Sequence, residues 1–189
     1  MNGKPTTTPL ASPIVPGGLS PGIVAAGLPI PAIDRIKIFS ASQWEDFVLE
    51  WVDSLRPEYS RIEKYAGAGD MGVDIIATAK DDESIWDNYQ CKHYGNPLRP
   101  SDIWVELGKL VYYTHRGYHS CPRRYFFVAP QGAGTTLSKL LKKPEDLRNG
   151  LIENWNGHCR KGITSTQEVN LDGALLGHLN TFDFSIFEA

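Results

Sequence analysis

Two short runs, Gly72-Val73-Asp74-Ile75-Ile76-Ala77 and Tyr89-Gln90-Cys91-Lys92-His93, put polar side chains where a buried strand should be apolar. Residues two apart in a strand share a face. Gln90 and Lys92 therefore project together, while Cys91 and His93 turn to the other side. A carboxylate and an ammonium beside apolar strands are costly unless they pair or bind a metal. The two runs thus demand a sheet with one polar point at the end of neighbouring strands. They also exclude a uniformly apolar core.

The rest of the chain supplies the sheet and its cover. Ser42-Gln43-Trp44-Glu45 has the capping-box pattern, and Trp44, Phe47, Val48, Trp51, Val52 and Leu55 recur at helical spacing. The spacing predicts a helix over Ser42–Leu55, ended by Arg56-Pro57. Strands come next at Arg61–Tyr65, Val73–Ala79 and Trp86–Tyr94, an antiparallel meander broken by a Gly-rich turn and by Lys80-Asp81-Asp82-Glu83. Pro100-Ser101-Asp102 opens a helix with Ile103, Val105, Leu107, Leu110, Val111 and Tyr113 on its apolar face. The continuous apolar run Tyr125–Ala129 suits a sheet centre. Helices are expected at Thr136–Lys142 and Pro144–Trp155, and short strands or an extended tail at Glu168–Leu171 and Thr181–Phe187. The order predicts an α/β fold, a central mixed sheet flanked by helices.

Residues 1–32 are rich in Pro, Gly, Thr and Ser, with Lys4 the one charged residue before position 33. They are expected to form a flexible arm ahead of a folded domain over 33–189. Prolines interrupt the apolar stretch Leu10–Ile33, and no run has the length of a membrane span. No signal peptide is evident, which points to the cytoplasm. Three widely spaced cysteines, Cys91, Cys121 and Cys159, suggest reduced thiols.

The net charge of −3 hides an uneven distribution. Between Tyr89 and Arg148 there are ten Lys/Arg against four Asp/Glu; elsewhere the balance is nine against eighteen. A basic middle in an acidic chain gives one positive face, as binding to a polyanion requires.

The polar point has a specific chemistry. Phosphodiester hydrolysis needs an activated water, charge neutralisation at the phosphate and help for the leaving oxygen. Mg²⁺ held by one or two carboxylates and a few other oxygens supplies much of this. Asp74 offers the carboxylate, Gln90 a neutral amide oxygen, and the Cys91 backbone carbonyl a further ligand. Lys92 is placed to serve the water or the phosphate. Glu45, on the border of the first helix's core-facing side, either joins this set or completes the capping box. Asp70, in the Gly-flanked turn, is a second-tier candidate or a turn-stabilising residue. Pro130–Thr136 lacks a Walker motif but could contact DNA phosphates through its amides. Trp104, Tyr112, Tyr113 and Tyr118 are expected to be core and interface aromatics.

Gly69-Asp70-Met71-Gly72-Val73-Asp74-Ile75-Ile76-Ala77 followed by Tyr89-Gln90-Cys91-Lys92-His93-Tyr94 resembles the core motif of Mrr-type restriction endonucleases. These form a branch of the PD-(D/E)xK nuclease superfamily in which Gln often replaces the acidic residue before the lysine. Trp44-Glu45 resembles the aromatic-Glu pair of that family's first helix. The resemblance spans roughly Ser40 to Pro130, and the region beyond is similar to nuclease modules of bacterial anti-phage effectors. It implies a restriction-endonuclease-like core with Asp74, Gln90 and Lys92 as the active site and Glu45 completing it. Mg²⁺ is the implied metal, with Mn²⁺ as a substitute, and double-stranded DNA the implied substrate. The function implied is cleavage of foreign DNA in bacterial defence, in a homodimer or higher assembly with a fused or separate sensor domain. Gln90 departs from the superfamily's usual acidic residue. It leaves open a DNA-binding module that does not cleave, or an assembly domain meeting an acidic partner.

Overall fold

In the computed structural model, residues 30–55, 57–65 and 71–189 are described. The chain divides at Ala32/Ile33 into two units, and all but three residues of the first lie outside the described ones. The expected arm, apart from those three residues, and the candidate Asp70 therefore lie outside the described residues.

The folded unit is α/β, with a five-stranded sheet in the order β1-β2-β3-β4-β5. Helix α1 (Ala32–Lys37) leads into α2 (Ala41–Asp53), and β1 (Tyr59–Lys64), β2 (Ile75–Ala79) and β3 (Trp86–Cys91) form the expected meander. Helix α3 (Trp104–His115) crosses over to β4 (Arg124–Val128), which lies parallel to β3. Helices α4 (Thr135–Leu141), α5 (Pro144–Asn154) and α6 (Gly173–Thr181) precede β5 (Phe187–Glu188), which is parallel to β4. The sheet is thus mixed and flanked by helices.

Strand alternation divides two cores between the faces. Ile75, Ala77 and Tyr89 point toward α2 and pack with Trp44, Val48 and Val52. Tyr125 and Phe127 point the other way, into a larger core with Leu107, Leu110 and Val111 of α3, Leu147 and Leu151 of α5, and Trp155. The chain passes from α5 into a π-helical turn, Trp155–Cys159. That turn packs against α3 at Gly108, where a Cβ would stand 2.7 Å from Cys159 Sγ.

A polar network sits inside this framework at the start of β3. Asp87 is almost fully buried and accepts two hydrogen bonds from Arg123, at 3.0 and 2.5 Å, and one from the Tyr59 hydroxyl at 2.8 Å. The Tyr59 and Tyr89 hydroxyls are 2.7 Å apart. Burial, together with these hydrogen bonds, pushes the Tyr59 phenol far above its usual range. Each buried polar group of this network meets a partner, as burial requires.

Several boundaries differ from the sequence reading. The cap of α2 is Ser40 rather than Ser42: its hydroxyl accepts from Gln43 N at 3.2 Å, and the Gln43 side chain accepts from Ser40 N at 2.8 Å. Gln43, not Glu45, closes the capping box. Pro100–Asp102 forms a 3₁₀ turn before α3 begins at Trp104. No strand forms at Glu168–Leu171, where Val169 N donates instead to Arg160 O at 2.8 Å. The tail expected at Thr181–Phe187 is the end of α6, a 3₁₀ turn at Phe184–Ile186 and the start of a two-residue strand.

The cap assignment predicts a contrast between two serines. Ser40→Ala should destabilise the fold by about 1 kcal/mol, because an α2 amide loses its acceptor. Exposed Ser42→Ala should change stability by less than about 0.5 kcal/mol. Urea unfolding of the two variants separates the outcomes, and equal losses would refute the assignment.

Candidate metal and phosphate site

The site grows from the place where β2 and β3 part. Their ladder ends at Ile75↔Tyr89, while β3 stays paired with β4 through Cys91↔Val128 and a Lys92 N to Val128 O bond of 2.9 Å. Cys91 N donates instead to Asp74 Oδ2 at 2.8 Å, so a carboxylate takes the amide at the strand split. A strand residue's N–H and C=O point to the same edge. The Cys91 carbonyl therefore faces the edge that Asp74 occupies. Two of the expected oxygen ligands are brought together in this way.

Gln90 and Lys92 lie on the α3 side of β3, and Cys91 packs with the α2 core, as the alternation requires. Gln90 is 2% exposed, and its side chain meets the Tyr125 hydroxyl at 2.9 Å. The same hydroxyl donates to Gly72 O at 2.8 Å. A phenol has one hydrogen and cannot donate to two carbonyl oxygens. Turning the Gln90 amide over satisfies both contacts: its NH₂ donates to Tyr125, whose hydrogen goes to Gly72. Tyr125 thus fixes Gln90 and the motif glycine at once.

Gly72 has no alternative. Its φ is +81°, and a Cβ would come 2.8 Å from Lys109 Cβ and 3.1 Å from Leu110 N. The strand entering the site therefore passes against α3 with no room for a side chain.

Lys92 meets a residue that sequence reasoning missed. Its Nζ lies 2.6 Å from Glu106 Oε1, and Glu106 Oε2 lies 3.3 Å from Lys109 Nζ. Glu106 is 8% exposed. It stands on α3 three residues after Ile103 and four before Leu110, both fully buried. An acidic residue at a core-facing helical position was the signal that could have found it. Its carboxylate, shared by two ammonium groups, fixes the direction of Lys92.

Glu45 approaches from the α2 side. With the cap formed by Gln43, its carboxylate is released from that role and lies 3.1 Å from Lys64 Nζ, which also binds Asp46 at 2.9 Å. Hydrogen bonding to Asp46 first, and to Glu45, holds the Lys64 ammonium above its usual pKa. Trp44 fixes this end of α2 by donating from its indole to Val128 O at 3.2 Å, the carbonyl that also receives Lys92 N. Burial, and then the charges of Asp74 and Glu45, push the Cys91 thiol far up. Cys91 is therefore no nucleophile at neutral pH. Lys64, the partner of Glu45, pairs in the sheet with Ile75, the residue after Asp74, which brings Glu45 toward the same strand end.

The donor set fits a small hard cation. Asp74 and the Cys91 carbonyl face one edge and offer oxygen, the preferred ligand of Mg²⁺, which needs only one or two carboxylates from the protein. Among the described residues no group of three His, Cys, Asp or Glu could hold a metal. Other expected features take different roles. In the loop after β4, the Gly132 amide donates to Ala129 O and the Gly134 amide to Leu98 O, which leaves neither for a phosphate. Within the basic middle segment, Lys92 and Lys109 share Glu106, and Arg123 serves Asp87. Trp104 is core, whereas Tyr118 is 63% exposed.

Comparison with known protein families, with curated proteins and with solved structures finds no match. Among the described residues, no helix is long and apolar enough to cross a membrane.

Glu106→Ala should lower stability by about 3–5 kcal/mol, because it leaves the Lys92 ammonium, 12% exposed, without its partner. Adding Lys92→Met to that variant should restore part of the loss. Urea unfolding measures both. A loss below about 1 kcal/mol in the single variant would show that the pair does not hold this corner.

Proposed function

We propose that residues 33–189 form a Mg²⁺-dependent DNA endonuclease domain with a restriction-endonuclease-like core of the Mrr type. The observation that carries this reading is the strand split. Asp74 and the Cys91 carbonyl share its edge, and Gln90 and Lys92 lie together on one face, held by Tyr125 and Glu106. The element order supports it too: a helix, an antiparallel meander, a crossover helix and a parallel strand match the core implied by the motif.

In this reading Asp74 and the Cys91 carbonyl would hold Mg²⁺, which when bound would supply Lewis-acid charge at the phosphate and a lowered pKa for the attacking water. Gln90 adds a neutral oxygen from the α3 side once its amide is turned toward the split. The Lys92 ammonium neutralises charge that develops on the phosphoryl oxygens, and Glu106 aims it there in advance, so little reorganisation is needed during reaction. Glu45 adds negative potential from the α2 side, balanced by Lys64. Double-stranded DNA is the substrate proposed, and cutting both strands calls for two such sites, hence a dimer or higher assembly. A role in bacterial defence, with a fused or separate sensor domain, belongs to the same proposal.

One observation favours a second reading. Gln90 is buried and already engaged by Tyr125, and a neutral amide binds a cation more weakly than a carboxylate. Such a site suits a module that binds DNA and cleaves it weakly or not at all.

Asp74→Ala and Lys92→Ala should each reduce Mg²⁺-dependent plasmid cleavage by about 10²- to 10³-fold while the fold survives. Unchanged cleavage in either variant would remove the proposed site. Gln90→Glu should preserve activity. It should also melt lower than wild type without metal, because a carboxylate is then buried, and recover on adding Mg²⁺. Equal response of the two proteins to Mg²⁺ in thermal melts would show that Gln90 is no ligand.

A further inference from the structure

A cleft of about 670 Å³ is formed by α3, Met71, the Arg116–Tyr118 turn and the loop 161–167. Three cations line it, Lys109, Arg116 and Lys161, and no carboxylate does so among the described residues. Glu168 stands behind Lys161, 3.5 Å from its Nζ, outside the lining. A cleft walled by one sign of charge concentrates a polyanion.

The aromatic content is equally specific. Tyr112, Tyr113 and Tyr118 form a ladder of edge-to-face rings, with centroids 5.1 and 5.5 Å apart. Tyr118 ends the ladder with most of its surface in solvent. The opposite wall is firm: Thr164 Oγ1 donates to Gln167 O at 2.7 Å and accepts from Gln167 N at 3.1 Å, and Gln167 donates to the Tyr112 hydroxyl at 3.1 Å. The volume falls in the range of about 300–1,000 Å³ typical of small-molecule sites, enough for a nucleotide rather than for a duplex.

We infer that this cleft binds an unpaired stretch of a DNA strand, its phosphates on Arg116, Lys161 and Lys109 and a base stacked on Tyr118. Cations that track phosphates beside an open aromatic face are the chemistry of single-strand binding. A base inside a duplex has both faces covered, so the open ring selects a frayed, nicked or overhanging strand. The inference rests on the nuclease reading for its biological sense and extends it to how the strand is held. Met71 lines the cleft and precedes Asp74 by three residues, a reach of at most about 11 Å. Lys109 also touches Glu106, the carboxylate that holds Lys92. A phosphate on Lys109 would therefore be felt at the proposed catalytic lysine.

The test is fluorescence anisotropy on the full chain in EDTA, which prevents cleavage. The probes are a labelled oligo-dT strand and a blunt duplex of the same length. Wild type should bind the single strand more tightly. Tyr118→Ala should weaken that binding by about 5- to 150-fold. Arg116→Ala with Lys161→Ala should weaken it at least about tenfold and reduce the slope of log K against log[salt] by about 1.4. All these side chains are exposed, so melting temperatures should stay unchanged. Unchanged affinity in the cleft variants, or a preference for the blunt duplex, would overturn the cleft. Equal competition by polyglutamate would overturn it in favour of an acidic protein partner. Cleavage assays of Asp74→Ala and Lys92→Ala judge the nuclease reading separately, since neither residue lines the cleft.

Discussion

The hydrogen bond from Cys91 N to the Asp74 carboxylate, 2.8 Å long, is the interaction on which the rest of the site depends. It takes up a strand amide at the point where β2 and β3 stop pairing, so the split costs no unsatisfied donor. It also sets the carboxylate beside the Cys91 carbonyl. From that point alternation alone sends Gln90 and Lys92 toward α3 and leaves Cys91 in the α2 core.

The surrounding elements hold this arrangement from both faces. On one, Tyr125 ties Gln90 to Gly72 and Glu106 ties Lys92 to Lys109, so the polar residues of β3 are fixed by α3 and β4. On the other, Trp44 bonds to Val128 O and carries Glu45 to the same strand end. A buried ion pair is weak evidence for stability but constrains direction well. Fixed direction is what a group that neutralises charge in a transition state needs.

Much of this was legible in the sequence because strand alternation is a strict rule. Gln90 and Lys92, two apart, could be assigned to one face from period two alone, whereas Asp74, expected inside a strand, stands just before β2. The meander, α2, α3 and β4 came from strong periodic signals. Glu106 was hidden because its neighbours on α3 made the helix read as simply amphipathic, and a single acid on the core-facing side looked like surface. The α2 cap was misplaced because Ser40 and Ser42 both precede a suitable residue at the third position, and Gln43 fits as well as Glu45. The C-terminal part was least legible. Alternation at Glu168–Leu171 imitates a strand, yet that segment is held by Arg160 next to a π turn, and α6 begins at a glycine without a side-chain cap.

Diffraction from crystals soaked in Mn²⁺, recorded at the manganese edge, would show whether the strand split holds a metal. One anomalous peak is expected there, within bonding distance of the Asp74 carboxylate and the Cys91 carbonyl, and it should vanish in Asp74→Asn. No peak at the split in the wild-type protein, or a peak held by Glu45 and Asp46 alone, would contradict the assignment of these oxygens as ligands.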